Sequence, residues 1–311
     1  MSPMREPSVV GRSDLPARVR IWEVGARDGL QNESAVVGTA TKIAFIDRLS
    51  AAGLPVVEAT SFVRPDRVPQ LADGAEVMAG ITRRHGVRYP VLVPNLRGLD
   101  GALAAGATDV AVFASATDTF AQRNLGRPMA EQMAMFAPVI EAARGHGLPV
   151  RGYVSMCFGD PWEGAVDPGQ VVGVCGELLA AGCTGLSLGD TIGVATPGQV
   201  GDLVRRLLGS GVALDTIGVH FHDTYGQALA NTLAALSVGI TTVDASAGGL
   251  GGCPFAESAT GNLATEDLVW MLDGLGIETG VDLEALAATS RWMAGELGRP
   301  SVSRVVQALG R

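Results

Sequence analysis

One repeated pattern narrows what this chain can fold into more than any other feature of it. A helical stretch ends at a glycine, and a short β-branched run follows at once. The glycines are Gly53, Gly86, Gly106, Gly147, Gly182, Gly211 and Gly239. The runs after them are Leu54 to Glu58, Val87 to Val93, Ala107 to Phe113, Leu148 to Val154, Cys183 to Leu188, Val212 to His220 and Ile240 to Asp244. Glycine is the natural left-handed residue past a helix end, and short apolar runs flanked by helices read as buried parallel strands. With Val19 to Val24 as the first, there are eight such strands, which predicts an α/β chain closed as a (β/α)8 TIM barrel. The alternative is an open doubly wound sheet. That fold would carry a Gly-rich dinucleotide turn after its first strand, and Glu23-Val24-Gly25-Ala26-Arg27-Asp28-Gly29 lacks the GxGxxG spacing. Thr265 to Leu275 and Leu283 to Leu297 have helical periodicity and are expected to pack at one end of the barrel. Residues 1–18 read as a disordered lead-in, and residues 19–311 as a single domain.

Composition removes several function classes. The net charge of −9 argues against a nucleic-acid surface, which needs a basic stripe. No charge-free apolar run reaches about 18 residues, so no membrane span is expected. The lead-in holds acids and arginines but no apolar h-region of a signal peptide. The four cysteines, Cys157, Cys175, Cys183 and Cys253, show neither zinc-knuckle nor disulfide spacing, which fits a reducing, cytoplasmic setting. Lys42 is the only lysine; its helical segment, Thr41 to Leu49, suggests that it faces solvent. A Schiff-base aldolase therefore has almost no candidate nucleophile here. If the chain breaks carbon–carbon bonds, a metal or an oxyanion site must hold the developing charge.

The reactive groups of such barrels sit at the C-terminal strand ends. Here those ends carry Arg27 and Asp28, then Glu58 with Ser61, Asn95, Tyr153 and Ser155, Asp190 with Thr191, and His220, His222 and Asp223. Alternate residues of a strand share a face, so His220 and His222 can reach one ion together while Phe221 points into the barrel–helix layer. With a carboxylate such as Asp28, the two imidazoles would leave open positions on an octahedral ion. Two quiet, hydrogen-bonded histidines at a strand end are the plain alternative. Arg27 suits a carbonyl or enolate oxygen, because its fork is planar and always charged; an ordinary ion pair with Asp28 or Glu58 is the rival reading. Gly248 to Pro254 reads as a flexible loop after the last strand, either a linker or a mobile carrier for the Cys253 thiol as acid or base. Cys157, Cys175 and Cys183 lie in or beside apolar runs and are expected to be inert.

Taken together, Glu23-Val24-Gly25-Ala26-Arg27-Asp28-Gly29-Leu30-Gln31-Asn32-Glu33, Val57 to Phe62, Ser187 to Thr191, His220 to Gln227, Gly251 to Phe255 and Gly261 to Asp267 resemble the 3-hydroxy-3-methylglutaryl-CoA (HMG-CoA) lyase family from about Val19 to the C-terminus. The resemblance implies that Asp28, His220, His222 and Asn262 bind Mg²⁺ or Mn²⁺, with Glu58 and Asp190 beside them. It implies that Arg27 stabilises the enolate oxygen, that Cys253 protonates the acetyl-CoA carbanion, and that Gln31, Ser61, Asn95 and Thr191 face the substrate. The family reaction cleaves HMG-CoA to acetyl-CoA and acetoacetate, the last step of leucine degradation. An acyl-CoA substrate and a homo-oligomer, taken as a dimer, are the expected partners.

Some stretches depart from the family pattern. Ser246-Ala247-Gly248-Gly249-Leu250 has smaller residues than the usual Ser-Val-Ala-Gly-Leu, which would loosen the loop. Arg64-Pro65-Asp66-Arg67 arranges its charges differently, so a lyase for a longer 3-hydroxy-3-alkylglutaryl-CoA is the near alternative. Residues 301–311 lack the cysteine that animal members use for an intersubunit disulfide. A non-catalytic acyl-CoA- or metal-binding barrel is the alternative from another class.

Overall fold

Residues 6–252 and 261–310 are described by the structure, a computed structural model. Nine parallel strands form one curled sheet: β1 (Arg20–Glu23), β2 (Val56–Val57), β3 (Thr60–Ser61), β4 (Val91–Leu92), β5 (Val110–Ser115), β6 (Val150–Ser155), β7 (Gly185–Asp190), β8 (Ile217–Phe221) and β9 (Thr242–Ala245). Their order is β2-β1-β9-β8-β7-β6-β5-β4-β3. Of the two edges, β2 lies inside the predicted run Leu54 to Glu58 and β3 follows just beyond its end. Between them Glu58 N–H donates to the Glu23 carbonyl at 2.8 Å, and Ala59 N–H donates to the Pro90 carbonyl at 2.9 Å. The chain thus changes partner from β1 to the neighbourhood of β4 within two residues, and the sheet closes as an eight-stranded barrel. All eight predicted runs contribute a strand.

The helix-to-strand pattern has its expected cause. The helix Pro168–Ala181 starts at Asp167, whose carboxylate accepts from Gly169 N–H, with Pro168 at the first helical position. It ends at Gly182 in the left-handed region, φ 112°, a conformation that costs any residue with a Cβ. Gly53 is held more tightly, since a Cβ there would lie 2.2 Å from the Gly280 carbonyl oxygen. Outward-facing strand residues such as Ile21, Val112, Val154, Leu188, Val219 and Val243 join the buried helix faces in the main core. Inward-facing Trp22, Arg151, Tyr153 and Asp244 fill the barrel with polar groups instead.

Three points differ from the sequence reading. The described part of the lead-in is docked: Val10 N–H donates to the Gly274 carbonyl at 2.9 Å, and Leu15 is buried. Lys42 is also buried, because the helix Thr39–Ala51 packs on the helix Gly74–Gly80. Its ammonium pairs with Asp73 at 2.6 Å and donates to the Gln70 carbonyl, so this amine is already engaged. The third concerns the glycine loop. Ala247–Gly249 is a buried 3₁₀ turn against the C-terminal helix Leu283–Glu296. Glu23 accepts from Ala247 N–H at 2.9 Å, and Glu266 accepts from Gly248 N–H at 2.9 Å. Small residues here permit a tight turn, and the loop is pinned as far as these two carboxylates reach.

Candidate active site

The site begins where β1 ends. The chain makes one wide π-type turn, Gly25–Gly29, closed by Gly29 N–H donating to the Val24 carbonyl at 3.1 Å. Such turns are rare and recur at functional sites. This one carries Arg27 and Asp28. Arg27 Nε donates to Glu58 Oε1 at 2.5 Å and Nη1 to Asp28 Oδ1 at 2.7 Å, with the guanidinium 5.3 Å from the centre of the Tyr153 ring. Glu58 is fully buried and also accepts from Trp22 Nε1 at 2.9 Å and from the Tyr153 hydroxyl. Three donors thus converge on Glu58, and its ion pair with Arg27 orients that fork. Burial opposes the charge on Arg27, but Glu58 and Asp28 outweigh it and raise its pKa.

β8 and the residue just after it deliver the two histidines. Val219 and Phe221 face the outer core, and Phe221 packs on Phe158 with ring centres 6.2 Å apart. His220 and His222 face the other way, their rings 5.3 Å apart. Among the described residues, Asp28, His220 and His222 form a group whose ligand atoms all lie within 4.8 Å of one another. Asn262 joins them: its Nδ2 donates to Asp28 Oδ2 at 2.8 Å and to the Leu250 carbonyl at 3.0 Å. The backbone bridges His222 with Asn262.

Two atoms test whether a divalent cation suits this cluster. Asn262 Oδ1 and His222 Nδ1 are buried with no hydrogen-bond partner, an arrangement that proteins avoid unless something else supplies one. One carboxylate, two imidazoles and an amide oxygen are hard or borderline donors of the kind that Mg²⁺ and Mn²⁺ accept. The charge states of Asp28 and His222 suit a cation. Burial would push Asp28 up, yet Arg27, His220 and His222 hold it at about 2. Burial, and then His220, push His222 down to about 4. At neutral pH the cluster therefore offers an anionic carboxylate and a neutral imidazole.

The remaining predicted residues divide into two groups. Ser61 is buried with a free hydroxyl, and Gln31 has a buried, unpartnered Oε1; both keep a polar atom for a ligand. Asn95 instead caps the helix Leu96–Ala104, accepting from Gly98 N–H at 2.9 Å. Thr191 Oγ1 accepts from Met156 N–H at 2.8 Å and steadies that residue in a left-handed conformation, φ 61°. Asp190 accepts from Val194 and Ala195 N–H at 2.9 and 3.1 Å, and burial lifts its pKa to about 6. Cys253 lies outside the described residues. Cys157, Cys175 and Cys183 are buried; burial raises Cys157 well above its ordinary value and Cys175 and Cys183 to about 12.

Sequence reasoning missed the polar floor beneath the site. Arg151, Ser187 and Asp244 are buried inside the barrel and joined by hydrogen bonds. The available signal was a charge in a run otherwise fit for full burial, as in Thr242-Val243-Asp244-Ala245.

Comparison with known proteins agrees with this geometry. The HMGL-like family matches residues 18–293. Over 308 residues the chain is 50% identical to the mitochondrial hydroxymethylglutaryl-CoA lyase of Rattus norvegicus, covering 99% of this chain and 94% of that protein. The crystal structure of hydroxymethylglutaryl-CoA lyase from Pseudomonas aeruginosa superposes with a TM-score of 0.93 at 50% identity, covering 95% of this chain and 98% of that one. A structure of an HMG-CoA lyase from Acinetobacter baumannii in complex with coenzyme A and 3-methylmalate gives a TM-score of 0.90 at 40% identity, with 96% and 97% covered.

Proposed function

This chain belongs to the HMGL-like family, and from that premise we propose that it cleaves (S)-3-hydroxy-3-methylglutaryl-CoA to acetyl-CoA and acetoacetate, as in leucine degradation. The observation that carries the reading is the Asp28, His220 and His222 cluster facing the aligned Arg27 fork at one end of the barrel. Relatives at about half identity over nearly the whole chain support it, and the relative that holds coenzyme A supports an acyl-CoA substrate.

Asp28, His220, His222 and Asn262 are the residues that would hold a divalent cation, Mg²⁺ or Mn²⁺. When bound, it would supply Lewis acidity toward the substrate's hydroxyl and carboxylate oxygens. The chain's own side chains account for the proton and charge movements. Asp190, lifted by burial to about 6, is the group we put forward to take the C3 hydroxyl proton. The C2–C3 bond then breaks toward the thioester and C3 becomes the ketone of acetoacetate. Arg27, held by Glu58, stabilises negative charge on the thioester oxygen. Cys253 gives its proton to C2, completing acetyl-CoA. Gln31 and Ser61, with Asn95 and Thr191 at neighbouring strand ends, are proposed to line the acyl group. No helix among the described residues is long and apolar enough to cross a membrane, and the cysteine pattern supports a cytoplasmic setting.

The deciding experiment is release of acetyl-CoA from HMG-CoA by the purified protein. Turnover should require added Mg²⁺ or Mn²⁺, stop on chelation and return when the ion is restored. Negligible release with either ion present would refute the reading.

A further inference from the structure

The barrel interior below the histidines holds a carboxylate with no solvent contact. Asp244 lies on β9 and its side chain is fully buried. It is the direct cross-strand neighbour of His220 in the β8–β9 ladder, so the backbone sets their approach. Three side chains converge on it. Arg151 Nη2 donates to Oδ1 at 2.7 Å, Ser187 Oγ donates to Oδ2 at 2.8 Å, and His220 Nδ1 lies 3.3 Å from Oδ2. Arg151 is itself locked, with its guanidinium 4.0 Å from the centre of the Trp22 ring and 5.2 Å from that of Tyr153.

An ionised carboxylate only accepts hydrogen bonds. A neutral His220 facing it must therefore carry its proton on Nδ1, which leaves the lone pair on Nε2. A metal-binding imidazole needs this pairing, and the group on its far nitrogen fixes the tautomer and the ring orientation. Arg151 and Ser187 matter because they prevent Asp244 from rotating away or being replaced by water.

We propose that Asp244 is a positioning residue for the metal site: Arg151 and Ser187 hold its carboxylate so that it fixes His220 in the Nδ1–H tautomer with Nε2 free to ligate. The inference rests on the reading of His220 as a ligand given above. It adds three residues from β6, β7 and β9 to a site otherwise built from the turn after β1, from β8 and from Asn262.

The test reads the tautomer directly. Long-range ¹H–¹⁵N spectra of the metal-free protein, recorded on the alkaline side of the His220 titration so that the ring is neutral, should show His220 as Nδ1–H. Only four histidines need separating, and His220→Gln identifies the signal. In Asp244→Asn the amide oxygen still accepts from Arg151, while the NH₂ group faces His220. The ring should then switch to Nε2–H, and the Mn²⁺ Kd read by electron paramagnetic resonance should rise roughly 10- to 100-fold. Where circular dichroism shows that this variant has not folded, Arg151→Met/Asp244→Asn removes the stranded cation, and the same two changes are expected. An Nε2–H signal in the unaltered protein overturns the proposal whatever the variants do. So does a folded variant whose tautomer and Mn²⁺ Kd match the unaltered protein. If the unaltered protein binds no Mn²⁺, the metal reading itself fails, a result distinguishable from either of these.

Discussion

At the scale of single residues, the proposed site separates ion holding from proton delivery. His222 is buried and held near neutrality, with one ring nitrogen unpartnered. His222→Ala should weaken Mn²⁺ binding by at least about 10-fold, since a donor is lost and Asp28, His220 and Asn262 remain. Cys253→Ser should leave that affinity in place and lower kcat by roughly 10²-fold, as loss of a general acid does. Calorimetry and steady-state kinetics on the two variants check both halves, and unchanged metal affinity in His222→Ala would count against the cluster. The same scale shows why some residues were legible in sequence and others were not. Arg27 and Asp28 are adjacent in one turn, and strand alternation alone puts His220 and His222 on one face. Arg151 and Asp244 are 93 positions apart and meet only across a closed barrel. Lys42 was misread for a related reason: its own helix does not reveal that Asp73, on a neighbouring segment, waits to pair with it.

At the scale of elements, the turn after β9 shows how a weak-looking segment is made rigid. Gly249 has φ 69°, and a Cβ there would lie 2.5 Å from Val302 Cγ2. Gly280 has a similar φ of 78°, with nothing within 4 Å of the same position. Gly280→Ala should therefore cost only the left-handed backbone penalty, about 1–2 kcal/mol. Gly249→Ala should cost more, and adding Val302→Ala should recover part of the difference. Urea unfolding of the three variants measures this; equal losses at the two glycines would refute the steric account. Sequence reading saw the glycines and inferred looseness. The stabilising partners, Glu23 and Glu266, lie 224 and 18 positions from the amides they bind, which no local pattern reports. Strands were read well because a buried parallel strand announces itself as a β-branched run after a helix-ending glycine. The short β3, Thr60–Ser61, lies past the predicted run, which stops at Glu58, and its pairing with β4 is a long-range contact that the run does not report.

At the scale of the whole molecule, buried carboxyls give stability a pH dependence. Burial raises Glu23 to about 7 and Glu266 to about 8 from an ordinary value of 4.5. Between 4.5 and those values the folded chain holds protons that the unfolded chain has released, so stability falls as pH rises. His220, also raised, acts in the same direction above its ordinary 6.5. His222, lowered to about 4, acts oppositely, but only between about 4 and 6.5. Metal-free protein should therefore lose stability steadily from pH 6.5 to 8.5, and Glu266→Gln should flatten that slope. Urea midpoints at four or five pH values would decide the matter, with a flat profile in the unaltered protein as the refuting result.

The barrel seam has a further consequence. The residue at which the sheet changes partner and closes, Glu58, is also the residue whose carboxylate grips Arg27, Trp22 and Tyr153. Architecture and chemistry share one latch. A chain whose last seam is unzipped lacks the Glu58 contacts that align the guanidinium, so on the proposed mechanism a partly assembled barrel would be catalytically silent.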